Sequence, residues 1–254
     1  PGGPGGRAGL GRIAAHFCGR RDRNPAAHEQ EVGEGIANSG VARGDIFLTS
    51  KILPKDFARE DFLAAARNSL ETLGTDYLNL LLLHWPSKEV PLGETLDAAN
   101  VLVADGLVHN VGVSNLTAAM VDEAIERLET PLAVNQVEFH PFIAQTTLMA
   151  HLAQKNVPFE AYAPLAQGGV ADDALLKEIG EKHDASPVQV ALAWILSKPN
   201  AVVLPKTASP DRLASNLAAA EIELSEDELR RIDTLQAQNE RFVSPDSLAP
   251  EWDD

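Results

Sequence analysis

The sequence is short of several things, and each shortage removes a class of explanation. One cysteine, Cys18, in 254 residues excludes an internal disulfide framework and fits a reducing cytoplasm. No apolar run approaches the ~20 residues of a membrane span, and the N-terminus has no signal-like apolar core. Arg20 and Arg21 form a twin-arginine pair, but polar residues follow it rather than an apolar region. Basic residues are scarce: 21 Lys and Arg against 37 Asp and Glu give a formal charge of −16, which argues against nucleic-acid or anionic-membrane partners. There are only two tyrosines, Tyr77 and Tyr162. A soluble, cytoplasmic monomer acting on a small molecule is the expectation. The length suits a single α/β barrel that buries enough apolar surface to need no structural metal.

What charge there is lies unevenly. Residues 1–28 hold five arginines, no lysine and one acid, Asp22, so that stretch is +4 and the remainder −20. The same stretch has seven glycines, three prolines and no sustained period. It is set apart from residues 29–254, which read as one domain without internal linkers.

From residue 29 onward short apolar runs alternate with helical patterns, the signature of βα units around a parallel sheet. Six runs read as strands: 46–52, 78–85, 109–115, 133–139, 158–165 and 201–206. Their nearly continuous hydrophobicity suits strands buried on both faces. They start 32, 31, 24, 25 and 43 residues apart, compatible with βα repeats plus one longer insertion. Over 58–73, Phe62, Ala66, Leu70 and Leu73 define one apolar helix face. Ser186-Pro187 and Ser209-Pro210 each pair a cap residue with a first-turn proline, and Ser225 with Glu228 forms a capping box. An open doubly wound sheet fits the alternation too. Its glycine fingerprint is matched formally by Gly9, Gly11 and Ala14, but the preceding PGGPGGRA cannot be a buried strand.

In a β/α barrel, chemistry sits at the C-terminal strand ends. Those ends carry Lys51, His84-Trp85, Ser114-Asn115, Gln136 with Glu138 and His140, Tyr162, and Lys206-Thr207. Buried strand tips have no structural reason to end in such groups unless they meet a ligand or each other. The loop from Lys206 leads into a helix start, where free backbone N–H groups and the helix dipole favour a phosphate. Lys206 and Arg212 add two positive charges there, and Thr207 and Ser209 add hydroxyls. Glu138, His140 and His109 raise a metal site, which is discounted because no recognised spacing places a third ligand.

The ordered segments LTSKI, LLLLHWP, VGVSN, NQVEFHP, AYAPL and LPKTASPDRLASN resemble the successive strand-end motifs of the aldo-keto reductase family. The tail RFVSPDSLAPEWDD is most similar to that family's bacterial 2,5-diketo-D-gluconate reductase B and methylglyoxal reductase branch. The resemblance implies a (β/α)8 barrel in which NADPH reduces aldehydes and ketones. It also implies roles. Lys51 lowers the pKa of a catalytic tyrosine by placing a cation beside the phenolate. His84 orients the substrate carbonyl, and Trp85 walls the substrate pocket. Ser114, Asn115 and Gln136 hold the nicotinamide carboxamide, on which Tyr162 stacks. Leu165 joins the cofactor contacts. Ala163 stands where the family often has serine, which removes one pyrophosphate contact. Lys206, Thr207, Ser209 and Arg212 take the adenosine 2′-phosphate, and Asn216 contacts adenine, so NADPH is expected over NADH.

The resemblance breaks at the N-terminus, where strands one and two of the family are not recognisable. HEQEVGEGI (28–36) looks like the continuation of the family's Y-x-N-E motif, with His28 for asparagine and Ala26 at the tyrosine position. The family aspartate would fall near Arg21 or Asp22. Residues 1–28 therefore read as a shifted frame or damaged segment joined to an intact remainder, a reading that an uninterrupted frame at the locus would overturn. Three functions compete: an NADPH-dependent carbonyl reductase, a catalytically silent NADP(H)-binding barrel, and a metal-dependent barrel isomerase or lyase.

Overall fold

The computed structural model describes residues 13–16 and 25–254, with side chains from residue 28 onward. The first described strand, β1 (Ile13–His16), is followed by helix α1 (Pro25–Asn38). Five βα units come next: β2 (Ile46–Ile52) with α2 (Arg59–Leu73), β3 (Leu80–Leu83) with α3 (Leu92–Ala104), β4 (Val111–Ser114) with α4 (Ala118–Arg127), β5 (Asn135–Glu138) with α5 (Thr146–Lys155), and β6 (Phe159–Tyr162), whose crossover holds α6 (Ala174–Lys182) and α7 (Pro187–Leu196). Strand β7 (Ala201–Val203), α8 (Pro210–Ala218) and α9 (Glu226–Asp233) complete the order.

The strands form one parallel sheet in the order β1 to β7, curled into an incomplete (β/α)8 barrel. All six expected strands are present. The seventh, β1, lies in the stretch set apart by composition and pairs with β2 from Ile13 opposite Ile46 to His16 opposite Thr49. Its core IAAH is too short for any period to show, which is why the sequence hid it. The Gly9–Gly11 fingerprint lies outside the described residues, as does the aspartate position near Arg21 and Asp22. The long gap before β7 is filled by α6 and α7.

Alternation explains why strands such as LLLL are buried throughout. Leu81 and Leu83 join the large core between sheet and helices, while Leu80 and Leu82 form a smaller inner cluster with Val134. A Cβ on Gly112 would sit 2.6 Å from Leu82 and 2.7 Å from Val134, so only glycine fits that inner layer. Outside the sheet, Phe62, Ala66, Leu70 and Leu73 are all buried along α2. The serine caps at 186, 209 and 225 all accept from the first helical turn, those at 186 and 225 as full capping boxes.

Helix α1 is tied to the barrel by a buried bond, Ser50 Oγ donating to Glu29 Oε1 at 2.5 Å. A Cβ on Gly33 would fall 2.6 Å from the Leu73 carbonyl oxygen, so α1 lies close against the end of α2. At the other edge, Val202 of β7 and Leu213 and Leu217 of α8 are the large exposed apolar side chains among the described residues. No helix among the described residues is long and apolar enough to cross a membrane.

Candidate active site

The pleat that aims Leu80 and Leu82 inward also aims the next layer. In β2 the residues alternating with the outward Ile46, Leu48 and Ile52 are Phe47, Thr49 and Lys51. By the same rule His84, Ser114, Gln136, Glu160 and Tyr162 continue the inward faces of β3 to β6. The C-terminal mouth is therefore lined by the side chains that the strand ends nominated.

Hydrogen bonds join them into two groups. Lys51 Nζ donates to Gln136 Oε1, and Gln136 Nε2 donates to Glu160 Oε2 at 2.7 Å. Burial pushes the Glu160 carboxyl up, against the Gln136 bond and the Lys51 charge. In the second group Tyr162 donates to Asn115 Oδ1 at 2.8 Å. Asn115 Nδ2 donates to Ser114 Oγ at 3.0 Å and to the His84 carbonyl at 3.2 Å. Ser114 Oγ donates to the Gln136 carbonyl at 2.9 Å, linking the groups. Asn115 adopts a left-handed backbone, φ 62°, which bends the chain away at the strand end.

His84 is the most perturbed of these residues. Burial, reinforced by the Lys51 cation, lowers its imidazole from an ordinary 6.5 to about 3. It is therefore neutral across the physiological range and can donate one ring N–H to a carbonyl oxygen. The sign of the stability effect follows. Between 6.5 and about 3 the unfolded chain binds the proton and the folded chain does not, so stability falls as pH drops through that window. His84→Gln is expected to flatten that part of a stability-against-pH curve measured by urea unfolding. A mutant curve that parallels the wild type would show that His84 is not the group responsible.

At the end of β7, Ser209 N donates to Thr207 Oγ1 at 3.1 Å, and Ser209 Oγ caps α8 through the Arg212 N–H at 3.5 Å. Lys206 and Arg212 are exposed there, and Asn216 lies one and a half turns into the helix, half-buried. Leu165 is half-buried after β6 and packs against the core.

The structure separates the three residues of the discounted metal site. His140 Nε2 lies 3.1 Å from Glu138 Oε1, both fully buried, whereas His109 stacks on Tyr77 at 4.5 Å at the opposite, N-terminal end of the strands. Arg43 covers the same Tyr77 ring at 4.0 Å. Neither tyrosine of the chain is thus an unengaged group at the mouth.

Strand-end reading missed the C-terminal tail as a wall of the site. Both Glu138 oxygens accept backbone N–H groups of the tail, from Phe242 at 2.8 Å and Val243 at 2.9 Å. Burial alone would raise the Glu138 carboxyl, but these bonds and His140 outweigh it and hold it below the ordinary range. Further on, Trp252 meets Trp85 edge-on at 6.2 Å, and Arg241 lies 3.8 Å over the Trp252 ring. Asp253 accepts from the Ala118 N–H, and Asp254 from Thr147, each at the first turn of a helix. Glu160 was also missed, although it stands two residues before Tyr162 and so shares its inward face.

A parallel, incomplete barrel of this kind agrees with comparison to known proteins. The Aldo/keto reductase family model matches residues 24–237. The chain belongs to the aldo-keto reductase family. It is 38% identical to glyoxal reductase of Bacillus subtilis over 221 residues, 87% of this chain and 79% of that protein. It is 34% identical to methylglyoxal reductase DkgB of Escherichia coli O157:H7, covering 89% of this chain and 85% of that one. A solved structure assigned to 2,5-diketo-D-gluconic acid reductase B superposes with a TM-score of 0.87 at 38% identity, covering 90% of this chain and 81% of that one. An aldo-keto reductase of Bombyx mori, solved in complex with NADP, gives 0.79 at 26% identity, covering 86% and 78%. As an aldo-keto reductase the chain is an oxidoreductase of the carbonyl-reducing class.

Proposed function

We propose that the barrel binds NADPH and a small carbonyl compound, a 2-oxoaldehyde such as methylglyoxal or a keto sugar such as 2,5-diketo-D-gluconate. The observation that carries this reading is the inward layer Lys51, His84, Ser114, Asn115, Gln136 and Tyr162 at one mouth. The donor set suits the dinucleotide. Amide and hydroxyl groups of Ser114, Asn115 and Gln136 match a carboxamide, which both donates and accepts. The Tyr162 ring, held by Asn115, offers a flat face beside them, with Leu165 as apolar support. Lys206, Thr207, Ser209 and Arg212 present charge and donors at the start of α8, where a 2′-phosphate is favoured, and Asn216 would reach adenine.

When bound, NADPH supplies the hydride. Neutral His84 donates a hydrogen bond to the carbonyl oxygen and so fixes the carbon that is attacked. Lys51 stabilises negative charge that develops on that oxygen. Trp85 and Trp252 exclude water from one side. What this chain does not supply by motif is the proton: Tyr77 lies at the opposite end of the strands and Tyr162 donates to Asn115.

That observation favours a second reading, a catalytically silent NADP(H)-binding barrel. One experiment separates them. NADPH titrated by calorimetry is expected to bind, while methylglyoxal-dependent NADPH oxidation is expected only at a trace rate, since a general acid is worth about 10²–10⁴-fold. Turnover at an ordinary rate would establish the first reading and refute the second; no binding would refute both.

The phosphate assignment has its own test. Lys206→Ala is expected to weaken NADPH by roughly 1.5–3 kcal/mol, the worth of a charge-assisted hydrogen bond, and to leave NADH nearly unchanged. Equal weakening of both cofactors would show that Lys206 does not read the 2′-phosphate.

A further inference from the structure

Arg241 is a cation with an unmet need. Its Nη1 is buried and has no hydrogen-bond partner among the described residues. Its guanidinium face is occupied by the Trp252 ring at 3.8 Å, a contact that fixes the group without satisfying its N–H donors. Carboxylates lie nearby, but they are engaged elsewhere. Glu138 bonds His140 and the Phe242 and Val243 N–H groups, and Asp254 bonds Thr147. Burial lowers the Arg241 pKa, against the fields of Glu138, Tyr162 and Asp254, and the next residue, Phe242, donates its N–H to Glu138 at 2.8 Å and sets its ring 5.3 Å from that of His140. Trp252, which carries it, meets Trp85, the residue after His84. A buried guanidinium donor left unpaired is costly, and a planar carboxylate is the partner its geometry matches.

We infer that Arg241 is a substrate-anchoring residue, a subsite at the barrel mouth for the carboxylate of an oxo acid whose carbonyl is presented to His84. The inference rests on the reading of the mouth as a carbonyl-binding site and narrows its substrate class. Oxo acids of keto-sugar size are then preferred over neutral carbonyls of the same size. The overall charge of −16 gives an anion no general attraction to the molecule, so a local cation would decide whether one binds.

The test uses the full chain and needs no turnover. Quenching of tryptophan fluorescence is titrated with 2-keto-D-gluconate, with its methyl ester, and with inorganic phosphate. The acid is expected to bind at least about tenfold more tightly than ester or phosphate. Arg241→Met is expected to abolish that difference, and Arg241→Lys to retain part of it. Equal binding of acid and ester, no binding of either, phosphate binding as tightly as the acid, or a preference that survives Arg241→Met would each overturn the assignment. The acid–ester comparison on the unaltered protein decides even if the Met variant does not fold. Calorimetry with NADPH on the same sample keeps the outcomes apart: intact NADPH binding without acid preference removes Arg241 from the substrate site and leaves the cofactor reading standing.

Discussion

Glu138→Ala is expected to cost about 3–5 kcal/mol of folding stability, the usual consequence of removing a buried carboxylate to which several buried donors are bonded. The reason lies in what the carboxylate holds. It is fully buried, bonds His140, and accepts the Phe242 and Val243 N–H groups, so its loss strips the partner from two backbone N–H groups and from Nε2 of His140 at once. For a chain of this size that loss corresponds to a melting temperature lower by roughly 6–20 °C. The tail should also loosen at the mouth, because its remaining anchors there are the Phe242 and Trp252 ring contacts and the exposed bonds of Asp253, Asp254 and Asp246. Urea unfolding measures the first effect, and proteolysis of the segment after Glu240 measures the second. Glu138→Gln keeps an acceptor oxygen and should lose less. A stability loss under about 1 kcal/mol for the alanine variant would mean that the tail does not depend on this carboxylate.

Glu138 also illustrates what a sequence of this kind discloses. Nearly continuous apolar runs in β2 to β6 are local information, so those strands and their polar ends could be read directly, and Lys51, His84, Ser114, Gln136 and Tyr162 do share one mouth. Caps are local too, and Ser186, Ser209 and Ser225 perform as read. The tail contacts are not local. Phe242 and Val243 are joined to Glu138 across more than a hundred residues by backbone N–H groups, which carry no sequence signal. The E-x-H spacing of Glu138 and His140 invited a metal, whereas the pair serves to hold a buried loop. Arg241 stood in view within a motif used only for its likeness to a family branch; its chemistry emerges only with Trp252 beneath it. Strand β1 escaped because four residues without polar alternation, in a glycine- and arginine-rich stretch, offer no periodicity to detect.

Replacing residues 1–28 with a family-type opening that carries the aspartate and tyrosine is expected to raise methylglyoxal reduction by about 10²–10⁴-fold, the contribution of a positioned general acid. The rest of the machinery explains why one segment should suffice. Helix α1 already seats Glu29 on Ser50, and Lys51 already faces the mouth beside neutral His84. Ala26→Tyr alone is expected to leave turnover at the trace level. Strand β1 ends level with Thr49, two residues short of Lys51, or about 6–7 Å along the sheet. A donor must stand within hydrogen-bond reach of the carbonyl oxygen, and a misplacement of even ~1 Å can cost 10²-fold. Ala26 lies in the first turn of α1, and the described part of β1 stops short of the Lys51 layer. Stopped-flow or steady-state oxidation of NADPH by the two variants, with cofactor binding measured on each, decides the matter. If the exchanged chain binds NADPH and remains as slow as the original, the missing donor is not what limits this protein. If Ala26→Tyr alone restores an ordinary rate, α1 itself aims the phenol and the deficit is a single residue.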